Sequence, residues 1–106
     1  MRDLTTLAGL ISEHAERAAL LDAAIDVTDG LAGQKEAQNI AYRDQFHVSD
    51  LVDATVMEIC IYRPRTAAEQ TAKAKFLLRW IGGVDSLSGD EARALLNSMI
   101  EGGANV

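Results

Sequence analysis

His14 stands where a helical seam wants a leucine. It falls in the series Leu4, Leu7, Ile11, His14, Ala18, Leu21, Ile25, Thr28, which advances by alternating three- and four-residue steps. If the chain folds back about a turn near Ala32, position 14 comes level with about position 50. His47 is then within about one helical turn, and Asp44 lies on the same side of that second segment. Two imidazoles and a carboxylate make a donor set for zinc or another divalent cation. The paired Glu-x-x-His motifs of di-metal bundles are missing, however. The commoner fate of a seam histidine is a half-buried ring bonded to a carboxylate or carbonyl. His14, His47 and Asp44 are therefore weak metal candidates, and no metal or other cofactor is expected.

A second set is basic. Arg63, Arg65, Lys73, Lys75 and Arg79 are five of the ten basic residues, in a window from 63 to 81 whose only acid is Glu69. The remainder of the chain holds five basic and fifteen acidic residues. Arg63, Arg65, Lys75 and Arg79 are the candidates for anion or nucleic-acid contact, the first two beside a helix N-terminus whose N–H groups attract anions. Against this, Lys73 and Lys75 point in different directions, and the overall charge of −6 repels phosphate backbones and anionic membranes. Complementarity to the acidic faces of the chain's own helices, or of a partner subunit, is the simpler reading, and nucleic-acid binding is not expected.

The remaining candidates carry less. Cys60 lies between Ile59 and Ile61 with no evident base, so it reads as a small apolar core residue rather than a nucleophile. The run Gly30, Gly33, Lys35 lacks the Gly-Lys-Ser/Thr end of a phosphate-binding loop. Paired acids such as Asp22 and Asp26 read as a solvated helix face. No enzymatic constellation emerges.

The elements that must position these residues are helical. Alanine and leucine dominate the apolar set, aromatics are 5%, and there is one proline, which points to an all-α chain with a helix-on-helix core. The pattern predicts a long antiparallel hairpin, about 4–29 and 34–62, packed with two shorter helices, about 67–81 and 89–101, as a single domain over 1–106. The turn is Gly30-Leu31-Ala32-Gly33. The second helix has Ala41, Val48, Val52, Thr55, Ile59 and Tyr62 on its seam, and Ser49 could cap a break near 46–50. Pro64 ends that helix, and Thr66 with Glu69 forms a Thr-x-x-Glu capping box for the third. Glu69–Lys73 and Glu13–Arg17 stand four apart in the favourable order. Gly82-Gly83 suits a C-terminal cap. Ser88 and Glu91 form a second capping box, followed by one apolar face made of Ala92, Leu95, Leu96, Met99 and Ile100.

The third helix ends Phe76-Leu77-Leu78-Arg79-Trp80-Ile81, too apolar for one narrow stripe. Its end is either central to the core or meets a second subunit. Phe76, Leu77, Trp80 and Ile81 are the interface candidates, with Trp80 foremost.

The stretch Tyr62-Arg63-Pro64-Arg65-Thr66-Ala67-Ala68-Glu69-Gln70-Thr71-Ala72-Lys73-Ala74, with Leu10-Ile11-Ser12-Glu13-His14, resembles a group of small all-helical proteins of bacterial genomes and prophages. That resemblance implies an all-helical fold and names no activity, ligand or site residue. One cysteine excludes an internal disulfide framework, no apolar run approaches the length of a membrane span, and the segment from Met1 to Thr6 shows no apolar signal core. The expectation is a cytoplasmic, non-catalytic interaction module acting as a homodimer. A small nucleic-acid-associated regulator using the 63–79 patch is the alternative, and a metal-binding protein centred on His14 comes third.

Overall fold

In a computed structural model the chain forms four helices: α1 (Leu7–Gly30), α2 (Lys35–Ile61), α3 (Ala67–Gly82) and α4 (Gly89–Gly103). The structure describes residues 3–82 and 86–103, with the backbone alone for 101–103. Among the described residues there is no strand, and the helices pack on one another, the all-α architecture that the residue pattern predicts.

α1 begins three residues later than the seam suggests. Thr6 takes the extended conformation and its hydroxyl accepts from the Gly9 N–H at 3.1 Å, an N-cap that stops the helix from extending back to Leu4. The same hydroxyl donates to the Asp3 carbonyl at 3.0 Å, which lays the N-terminal turn across Gly9. A Cβ at position 9 would come within 1.7 Å of that carbonyl oxygen, so the close approach requires glycine.

At the far end, Gly33 takes φ +87, the left-handed conformation that reverses the chain. Thr28, buried at the end of the seam, bonds its hydroxyl to the Ala24 carbonyl, and its own carbonyl accepts from Gln38 across the turn. α2 then runs unbroken through 46–50. Ser49 does not cap a new helix. Gln45, Val48 and Val52 carry the seam straight across that stretch, so packing against α1 holds it helical.

α3 and α4 start as the capping boxes predict. The Thr66 hydroxyl accepts from the Glu69 N–H at 3.1 Å, and the Glu69 carboxylate reaches back to the Arg65 N–H at 2.8 Å, one residue beyond the usual N-cap partner. At α4 the box is fully reciprocal: the Ser88 hydroxyl takes the Glu91 N–H, and the Glu91 carboxylate takes the Ser88 N–H. Gly82 is still helical, and the Gly82-Gly83 cap falls at the edge of, and Gly83 outside, the described residues.

The core lies at the open end of the hairpin. Leu7 and Leu10 of α1 meet Val56, Ile59 and Cys60 of α2, with Phe76 and Leu77 of α3 laid over them and Ala94 and Leu95 of α4 closing the side. Toward the Gly33 turn the hairpin continues as a two-helix arm. The molecule measures 59 × 31 × 19 Å with a radius of gyration of 16.4 Å, against about 13 Å for a compact chain near 100 residues. The arm accounts for the difference.

Candidate functional site

Lys73 sets the joint between three helices. The spacing Lys73, Phe76, Leu77, Trp80 puts the lysine on the core-facing side of α3, and only 4% of it is exposed. Its three ammonium protons are all used: on the Cys60 carbonyl at 2.8 Å, the Tyr62 carbonyl at 2.6 Å and the Ser98 hydroxyl at 2.9 Å. Two of those acceptors are end carbonyls of α2, where the helix dipole favours a cation. Burial pulls the Lys73 pKa down. The Glu69–Lys73 pair read from the sequence does not form: the Glu69 carboxylate is taken by the Arg65 N–H and the Tyr62 hydroxyl instead. Glu13–Arg17 does form, at 3.0 Å, and Arg17 also reaches the Leu51 carbonyl and the Thr55 hydroxyl across the hairpin.

His14 sits on α1 against α3. Its ring meets Phe76 edge-on at 4.8 Å and Trp80 edge-on at 5.2 Å. With Ile11, Ala15 and Arg79 these side chains line an open cleft of about 440 Å³. The Trp80 indole N–H is buried there without an acceptor among the described residues. His47 and Asp44 are exposed on α2. The structure therefore does not join the three as ligands, and among the described residues no cluster of three or more His, Cys, Asp or Glu side chains is placed to hold a metal.

The interface candidates divide. Phe76 and Leu77 are buried in the chain's own core, which corrects their assignment to an outer contact. Trp80 is half-buried at the cleft, and Ile81 is exposed. Of the basic candidates, Arg63, Arg65, Lys75 and Arg79 are exposed. The N-terminus of α3, beside Arg63 and Arg65, is occupied by the chain's own Glu69 carboxylate. Cys60 is wholly buried, and burial, with Glu91 nearby, pushes its thiol up to about 11. That is the inert thiol its apolar neighbours suggest.

Two features escaped the sequence pattern. The first is α4, which turns Glu91 and Ser98 inward along with Ala94 and Leu95, and leaves Leu96, Met99 and Ile100 outside, with Leu96 59% and Ile100 69% exposed. The apolar face read from its periodicity is split: Leu95 packs on the core, while Leu96, Met99 and Ile100 point away from it and Ser98 turns in to Lys73. The second is an aromatic pair on the arm. Tyr42 and Phe46 stack at 6.1 Å with their rings 18° apart, and both are exposed. No helix of the described residues is long and apolar enough to cross a membrane. Compared with known protein families, with characterised proteins and with solved structures, the chain shows no significant match.

Proposed function

We propose that this chain is a non-catalytic helical interaction module of the cytoplasm that works as a homodimer. The observation that carries the reading is α4: its apolar stripe of Leu96, Met99 and Ile100 lies in solvent while two polar side chains face the core. Large apolar residues are exposed on the other helices too, among them Leu20, Phe46 and Leu78. Contiguous apolar surface left in water marks association sites, and a two-fold dimer is the commonest way to cover it. A buried free thiol and an acidic surface suit a reducing, soluble setting. A nucleic-acid role for Arg63, Arg65, Lys75 and Arg79 has less behind it, since Lys73 is committed to the fold and Glu69 fills the α3 N-terminus.

Sedimentation velocity at micromolar concentration tests this. A species of twice the 11.4 kDa chain mass is expected, whereas a single species at the chain mass overturns the proposal.

A further inference from the structure

We infer that the second copy turns end for end over the α4 side of the hairpin, so that Leu96 and Ile100 of each α4 pack on Tyr42 and Phe46 of the other copy's α2. This rests on the homodimer reading above and names the two surfaces that meet.

Burial fixes where α4 lies on α2. α2 packs chiefly against α1 and α4. Its side toward α1 carries Ala41, Val52, Thr55 and Ile59, all buried, with Thr55 bonded to Arg17 of α1. At the core end one flank of that side, Val56 and Cys60, is wholly buried, whereas the other, Ala54, Glu58 and Ile61, is exposed. α4 therefore covers the Val56 and Cys60 flank, where its Glu91 stands close enough to Cys60 to help raise the thiol. Tyr42 precedes Cys60 by eighteen residues, about five helical turns, which sets it on the same flank. Phe46 stacks on Tyr42, and Asp50 follows Phe46 by four residues, about one turn. All three are exposed. The flank that α4 covers at the core end is thus bare along the arm.

The outer side of α4 is its complement. Glu91, Ala94, Leu95 and Ser98 turn inward. Ile100 follows Glu91 by nine residues, about two and a half turns, and so stands opposite them. Leu96 lies about one turn before Ile100 and Arg93 about two, so the three share the outer side, and all are exposed. Arg93 is paired with Asp90 at 3.8 Å, with both side chains largely in water. Asp50 makes no ion pair among the described residues. One surface therefore offers two aliphatic side chains and a base, the other two aromatic rings and an acid. In a copy laid face to face with its direction reversed, α2 runs antiparallel over α2. The α4 of each copy then fills the level between them that the other's arm leaves open. A single two-fold rotation makes both contacts at once. Opposite charge beside an apolar anchor steers the encounter and fixes its direction.

Sedimentation equilibrium on wild type and variants tests the docking. Phe46→Ala and Leu96→Ala should each weaken the dimer by roughly 30-fold or more, the mark of an anchor residue in a contact. Their helical circular dichroism should be unchanged, because both residues are exposed in the single chain. Asp50→Arg and Arg93→Glu should each weaken the dimer by about tenfold, and the two together in one chain should restore it. Loss of the dimer on Leu96→Ala with none on Phe46→Ala would mean that α4 meets its own copy instead. A wild-type dimer that either alanine variant leaves intact, or a double charge variant no tighter than the single ones, overturns this docking while the homodimer stands. A wild-type protein that stays monomeric overturns both.

Discussion

A lysine whose every proton is spent on carbonyl and hydroxyl oxygens is a structural cation. Lys73 satisfies the end carbonyls of α2 and ties Ser98 of α4 to them. Removing it strands two end carbonyls under the core. Lys73→Ala is expected to destabilise the chain by about 2–4 kcal/mol, read from urea melts, far more than Lys75→Ala on the exposed side of the same helix. Cys60 gives a second test. Its thiol ionises near 9.0 in an open chain and near 11 in the fold, because burial disfavours the thiolate. The folded chain therefore keeps a proton that the unfolded chain gives up, and Cys60 withdraws stability as pH rises from 9 toward 11. Cys60→Ala should flatten the stability curve in that window relative to wild type, and parallel curves would count against it. The burial of Cys60 is legible in its Ile59 and Ile61 neighbours. Lys73 is legible too, since it shares helical spacing with Phe76, Leu77 and Trp80, but charge type outweighs periodicity on a first reading. His14 is recognisable as a seam oddity, whereas its aromatic partners come from a helix more than sixty residues away in sequence, a distance that no local pattern spans.

Among the elements, those with a chemical start signal are the ones that the sequence places best. Thr66 with Glu69 and Ser88 with Glu91 both close as capping boxes. Thr66→Ala should cost about 1 kcal/mol in chemical denaturation, and Pro64→Ala much less, because the cap and not the ring fixes where α3 begins. α1 lacks such a paired signal, and its start moves from Leu4 to Leu7 because Thr6 caps it and the N-terminal turn folds over Gly9. The orientation of α4 is not legible at all. Periodicity shows that the helix has an apolar side but cannot show which way that side faces. Here the bond from Lys73 to Ser98, with Ala94 and Leu95 on the core, holds the rotation that leaves Leu96, Met99 and Ile100 outside.

At the scale of the molecule, the core occupies one end of a long hairpin and the arm reaches away from it. The matching lengths of α1 and α2 are readable from two runs of alternating apolar spacing about a glycine turn. That α3 and α4 gather at the open end follows from Pro64, which turns the chain back where α2 stops. This layout also dictates how quickly the chain can fold. Leu10 finds Val56 only after the roughly 45 residues between them have doubled back, and closing so long a loop in one step carries a heavy entropic cost. Zippering outward from Gly33 replaces that single search with a series of short ones, each turn of α1 settling beside the next turn of α2. The arm is then the route to the core, and the turn at its tip belongs to the folding nucleus. Gly33→Ala forces an alanine into the left-handed conformation, at about 1 kcal/mol. In stopped-flow experiments that loss should appear almost wholly as slower folding, about fivefold, with the unfolding rate unchanged.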